Sequence, residues 1–217
     1  EIASMEMRAL RAQINPHFLF NTLNSINNYI LQNEGDIASK YLVKFSNLMR
    51  RILANSSNSL ISLSEELATL ELYIEIESMR FGKSFDYFIN IDNMVDPDLI
   101  KTPPMLLQPF VENAIWHGLL HSNKEKCLEI NVHRNGEDVI NISIKDNGIG
   151  RKAAAEISKG GAKRKSYGMD ITKKRLELLN KDYNSDIENS KWEVIDLNDE
   201  THSTSGTEIK ISIPIIN

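Results

Sequence analysis

Apolar or small residues recur at Ile2, Met5, Ala9, Ala12, Pro16, Leu19, Leu23, Ile26 and Ile30, in steps that alternate between three and four. That spacing is the seam of a helix bundle or coiled coil, and it predicts one helix over residues 2–32. His17 lies off the seam. It aligns with Asn21, Asn24 and Asn28 at steps of four, three and four, which predicts a polar stripe facing water or a partner. After a turn at residues 33–36, Tyr41, Leu42, Phe45, Leu48, Met49, Ile52 and Leu53 make a wide apolar face on a second helix, residues 37–54. Two helices joined by a short turn form an antiparallel hairpin. One hairpin has too little surface to bury both stripes, so a second copy is expected to complete a four-helix bundle.

Residues 55–63 read as a polar connector. Ser62-Leu63-Ser64-Glu65 has the form of a capping box, so a third helix is expected from about position 62 or 64 to Phe81-Gly82. The pattern then changes. Residues 85–91 read as a strand, Pro103-Pro104 precedes an expected helix over 105–119, and alternation predicts strands at 128–133 and 139–145. A Gly- and Lys-rich loop follows over 148–166, then a helix over 169–181 and strands at 192–197 and 208–213. An all-helical start followed by a mixed α/β layer is an α+β chain. There is no internal repeat.

Composition narrows this only a little. The chain has 217 residues, 25% charged and 41% hydrophobic, ordinary for a soluble globular protein. A net charge of −5 gives no support to nucleic-acid binding as the main role. Cys127 is the single cysteine, which excludes an intrachain disulfide. No apolar run reaches the length of a membrane span, and these residues are not expected to include a signal peptide. Because the chain opens at Glu1 already in heptad phase, it reads as part of a longer protein whose upstream segment continues the first helix. Membrane contact is then expected only through that upstream segment.

Four segments carry candidate chemistry. The run 108–118 places Asn113 and His117 four apart on one helical face. An Asn amide oxygen is a hard ligand suited to Mg²⁺, and a histidine can donate to phosphate. An isolated pair of this kind is more often surface or core filler. Asp146-Asn147-Gly148-Ile149-Gly150 follows a predicted strand and by itself reads as a hairpin turn. Tyr167-Gly168-Met169-Asp170 opens a helix, where a glycine lets backbone amides face an anion. Gly206-Thr207 precedes the last strand. Lys159, Lys163, Arg164 and Lys165 read either as a solvated run or as positive charge over a polyphosphate.

The His17 stripe resembles the phosphoacceptor motif of the LytS-type sensor histidine kinases. The later segments resemble, in order, the N box, G1 box, G2 box and final glycine-threonine element of that family's ATP-binding domain. The resemblance covers nearly the whole chain. It implies a helical hairpin for dimerisation and phosphotransfer over 1–60, a connecting helix over 61–82, and a catalytic domain over 83–217. That domain would be an α/β sandwich of the histidine-kinase (Bergerat) type. It implies a homodimeric two-component kinase using ATP and Mg²⁺, which phosphorylates His17 and passes the phosphoryl group to an aspartate on the receiver domain of a response regulator. The chain would be the cytoplasmic portion of a membrane-anchored bacterial sensor. Asn113 would hold Mg²⁺ and His117 a phosphate. Asp146 would accept the adenine amino group, with Gly148 and Gly150 letting the backbone approach the base. Gly168 and Thr207 would complete the nucleotide contacts.

The chain departs from the family pattern at two places. Ser166 stands where the first G2 glycine is usual and Ile171 where an asparagine is common, which leaves the phosphate contacts of that loop open. Phe18, as in the LytS type, follows the acceptor where many histidine kinases carry an acid, so Glu112 becomes the candidate that orients or deprotonates His17. Asn21, one turn beyond His17, is the candidate for orienting water in the reverse reaction, and Leu10 and Ile14 for an apolar floor on which the regulator docks. Pro16 either kinks a continuous helix or takes the first position of a new one capped by Asn15. Two alternatives remain at this stage: a non-catalytic ATP-binding scaffold, and a serine-directed kinase of the anti-sigma type.

Overall fold

The computed structural model describes residues 16–82, 84–123, 125–158, 172, 176, 191–198 and 204–215. The chain divides into two compact units, Glu1–Ser84 with Thr102–Met105, and Phe85–Lys101 with Leu106–Asn217.

The first unit is helical. Helix α1 is described over Pro16–Leu31, α2 over Gly35–Ser56, and α3 over Leu63–Arg80 after a two-residue strand β1, Ile61–Ser62. Ser62 caps α3, its hydroxyl accepting from the Glu65 N–H at 3.3 Å, which is one half of the expected capping box. Gly82, at φ 64°, follows the end of α3 in the left-handed region that glycine takes without cost. The core is made by Tyr41, Leu48, Ile52, Leu63, Ile74 and Ile76, all essentially inaccessible. Each fully buried aliphatic side chain of this kind contributes about 1.5–3 kcal/mol relative to exposure. Tyr41 donates its hydroxyl to the Ile76 carbonyl at 3.1 Å, and burial pushes its pKa up to about 12.

The seam of α1 differs from the expected one. Its buried residues are Phe18, Thr22 and Ile26, while Leu23 is 51% and Ile30 57% exposed. The hairpin expectation left α3 out. Here α1 packs against both α2 and α3, and Phe18 lies 5.0 Å from Tyr73 of α3 and 6.4 Å from Phe45 of α2, ring centre to ring centre. The third helix therefore takes the Phe18 side and leaves the Leu23–Ile30 side uncovered within one chain. The segment before Pro16, with Leu10, Ile14 and the Asn15 cap, lies outside the described residues.

The second unit is a mixed five-stranded sheet. Its strands are β2 (Asp86–Ile91), β4 (Cys127–Asn135), β5 (Val139–Asp146), β6 (Lys191–Asn198) and β7 (Thr204–Pro214), in the order β2-β4-β5-β7-β6. A two-residue strand β3, Lys101–Thr102, lies between β2 and β4 in sequence. Only β2 and β4 run parallel; the other neighbours are antiparallel. Alternation puts Leu128, Ile130, Val132, Ile140, Ile142, Ile211 and Ile213 in the core.

The helix expected over 105–119 is shorter and changes type. Met105 has φ 57° and gives its N–H to the buried Glu66 carboxylate at 2.7 Å, so it is not helical. Helix α4 runs Gln108–Asn113 with Pro109 in its first turn, and continues as a π-helix over Ala114–Leu119. The Gly-rich loop also begins as a helix, α5, Gly150–Ser158. The expected helix over 169–181 lies almost wholly outside the described residues.

Candidate functional site

The π-helix, α5 and the strands β5, β6 and β7 of the second unit enclose a cleft of about 380 Å³. Its wall includes Asn113, His117, Asp146, Gly150 and Thr207, all expected from sequence. Asn113 ends α4 and His117 follows one wide turn later. Insertion of a π-turn at such a place is a common way of aiming side chains at a site.

Asp146 ends β5 and is only 3% exposed. Burial pushes its carboxyl pKa up to about 6, opposed by hydrogen bonds from the Gly148 and Thr207 N–H groups. Gly148 N–H meets Asp146 Oδ1 at 2.9 Å. The turn is so close to the π-helix that a Cβ on Gly148 would stand 2.2 Å from the Gly118 carbonyl carbon. A Cβ on Gly118 would in turn stand 2.5 Å from Asp146 Oδ1. Glycine is required at both positions by contact alone. The Ile149 N–H donates to the Gly118 carbonyl at 3.2 Å and completes the junction.

Several site residues were not identified from sequence. Gly118 closes the 108–118 motif but was assigned no role. Trp192, Val194 and Ile209 supply the apolar floor, and Trp192 packs on Phe110 at 5.6 Å between ring centres. Ala154 and Ala155 of α5 also line the cleft. Arg151, also on the wall, pairs with both Asp196 oxygens at 2.8 Å and holds that carboxyl below the ordinary range. Small residues and a lone arginine in a presumed loop carry no distinctive sequence signal, and Asp196 is 45 positions from its partner.

Not every expected residue joins the cleft. Glu112 is half-buried on α4 and Gly148 is buried in the turn after β5, and neither is among the residues lining it. Gly168, Ser166, Ile171 and the four basic residues of the loop lie outside the described residues. His17 and Asn21 belong to the helical unit. Both are half-buried rather than fully presented to solvent, because Phe18 beside them turns into the core. The Asn21 amide nitrogen lies 3.0 Å from His17 Nδ1 and 3.2 Å from Nε2. Both ring nitrogens lie within reach of this one amide, so the contact orients the ring, and the tautomer sets which group donates.

The histidine kinase family matches residues 5–85. The sensor protein LytS of Oceanobacillus iheyensis is 42% identical over 146 residues, 67% of this chain and 24% of that protein. The sensor histidine kinase YpdA of Escherichia coli is 37% identical over 145 residues, 67% of this chain and 25% of that protein. The chain thus spans about a quarter of the length of the curated relatives it matches. The histidine kinase domain of a blue-light activated kinase from Erythrobacter litoralis aligns over 98% of this chain and 96% of that one, at 14% identity and a TM-score of 0.49.

Proposed function

We propose that this chain, which belongs to the LytS-type sensor histidine kinases, binds ATP in the cleft around Asp146 and transfers the γ-phosphoryl group to His17. From there it would pass to an aspartate on a response regulator's receiver domain. The observation that carries the nucleotide reading is a buried carboxylate, flanked by glycine backbone and an apolar floor, in one cleft with Asn113 and His117. Adenine needs a flat apolar surface and an acceptor for its amino group, and Trp192, Val194, Ile209 and Asp146 match those needs. His117 supplies a donor for phosphate, and Gly168 and Thr207 are assigned to the same nucleotide.

Among the described residues no three His, Cys, Asp or Glu side chains gather as a metal cage. The donor set fits a cation held by one protein ligand, phosphate oxygens and water, which is the usual habit of Mg²⁺, with Asn113 as the protein ligand. Mg²⁺ bound there would neutralise phosphate charge. Asn113→Ala should therefore remove most of the gain in ATP affinity that Mg²⁺ brings, by roughly tenfold or one lost charge-assisted contact. Calorimetric titration with and without Mg²⁺ checks this, and an unchanged Mg²⁺ gain would rule Asn113 out as the ligand.

Phosphoryl transfer depends on positioning and on charge neutralisation more than on covalent chemistry by the protein. In this reading Asn21 orients the His17 ring, and in the reverse reaction its amide orients water. As the N–P bond forms, the bond from the γ-phosphorus to the bridging oxygen breaks and ADP leaves, and Glu112 is the candidate acceptor of the proton on the other ring nitrogen. The exposed Leu23–Ile30 side of α1, with Leu42, Val43 and Leu53 of α2, is the surface by which two copies pair. Leu23→Glu changes an exposed residue, so each chain should stay folded while sedimentation shows a shift from dimer to monomer; a dimer as tight as wild type would contradict it. No described helix is long and apolar enough to cross a membrane. The family resemblance, rather than that absence, assigns the chain to the cytoplasmic portion of an anchored sensor. Incubation with γ-labelled ATP and Mg²⁺ tests the whole reading. Mass spectrometry at neutral pH should place one phosphoryl group on the peptide containing His17, and a chain that takes up no label would overturn it.

A further inference from the structure

Asn147 follows Asp146 directly, yet unlike Asp146 it is absent from the lining of the cleft. Its side chain is spent elsewhere. Oδ1 accepts from the Cys127 N–H at 2.8 Å, and Nδ2 donates to the Glu125 carbonyl at 2.7 Å. Its own N–H donates to the Cys127 carbonyl at 3.3 Å. One residue thus ties the turn after β5 to the chain entering β4 at three points. On its other side the turn presses on Gly118, where a single added carbon would find no room. Between these two constraints Gly148 has one place to be, and there its N–H lies 2.9 Å from Asp146 Oδ1.

We infer that Asn147 is a positioning residue, whose amide staples the turn to β4 and so holds the Gly148 N–H on the Asp146 carboxylate. The assignment of that carboxylate to adenine rests on the proposed function; the staple itself does not. Asn147 is half-buried, so water can replace its amide when it is removed. The turn would loosen rather than unfold. Asp146 would then lose part of a hydrogen bond that favours its ionised form, and would protonate at a higher pH. Among the described residues, the other titratable groups facing this cleft are His117 from the π-helix and Arg151 from α5, and Arg151 is engaged by Asp196. On β7, the strand paired to Asp146, the facing residue is the neutral Thr207.

Asn147→Ala provides the test, read in the nucleotide-free protein by following the Gly148 amide resonance against pH. The midpoint should lie above that of wild type by about half a unit or more. At pH 8, where Asp146 is ionised in both proteins, ATP should bind the variant roughly three- to tenfold more weakly, the worth of one neutral hydrogen bond. A midpoint equal to that of wild type overturns the inference. A shifted midpoint in proteins that bind no ATP supports the staple and overturns the nucleotide reading instead. Should Asn147→Ala not fold, Asn147→Ser, whose hydroxyl is too short to span both contacts, decides by the same midpoint. Rapid hydrogen exchange of both the Cys127 and Gly148 amides in the wild-type protein also overturns it.

Discussion

Asp146→Asn is expected to weaken ATP binding by about 10–100-fold and, in the same protein, to stabilise the nucleotide-free sheet unit. The first effect follows from replacing a charged acceptor by a neutral amide, since a hydrogen bond to a charged group is worth about 1.5–3 kcal/mol. The second follows from burial. Asp146 is 3% exposed and its folded pKa is about 6 against an ordinary 3.8. A raised pKa means that the folded state binds a proton that the unfolded chain has already released. The stability this provides is fully present below pH 3.8 and is lost as pH rises through about 6. At pH 7 the buried charge therefore costs on the order of 3 kcal/mol. An asparagine does not ionise and avoids it. Thermal unfolding should show the variant's sheet unit melting higher by roughly 5 °C or more at pH 7, with the gap closing towards pH 4. A variant that binds ATP as wild type does would remove Asp146 from adenine recognition. One that melts at the wild-type temperature at both pH values would show that the buried charge is not destabilising. In the wild type itself, ATP affinity should fall as pH drops through about 6, because the protonated acid is a poorer acceptor for an amino group.

Much of the sheet unit was legible because its signals are local. The alternation of Leu128, Ile130 and Val132, and of Ile140, Ile142 and Ile144, fixes which face is buried with no knowledge of the neighbours. Ser62 caps α3 through an atom three residues away. What sequence misplaced depends on distant partners. The three-four spacing puts Leu19 on the seam and Phe18 off it; Tyr73 and Phe45, far along the chain, draw Phe18 inward and leave Leu23 and Ile30 outside. Met105 reads as helical until Glu66, 39 positions earlier, claims its N–H. The π-turn after Asn113 keeps a four-residue spacing that looks α-helical. Gly118 shows its role only when Asp146 and Gly148 are brought against it. Asn147 looked like turn filler because two of its partners, Glu125 and Cys127, are 22 and 20 positions away.

The second large effect is expected at His17. His17→Gln retains a polar side chain of similar reach at a half-buried position, beside Asn21, which can hydrogen-bond to an amide as readily as to a ring nitrogen. The packing of Phe18 against Tyr73 is untouched, so the helical unit should keep its stability within about 0.5 kcal/mol, the range of a tolerated substitution. A glutamine has no nitrogen lone pair able to form a stable bond to phosphorus. All the described residues that line the cleft belong to the sheet unit, so ATP affinity should stay within about twofold of wild type, a difference below roughly 0.5 kcal/mol. The decisive measurement places wild type and His17→Gln side by side with γ-labelled ATP and Mg²⁺, with ATP affinity measured on both. The expected result is label on the wild type that is lost in acid and stable in base, none above background on the variant, and equal affinities; label on His17→Gln, or wild-type label that survives acid and is lost in base, would contradict phosphorylation at His17.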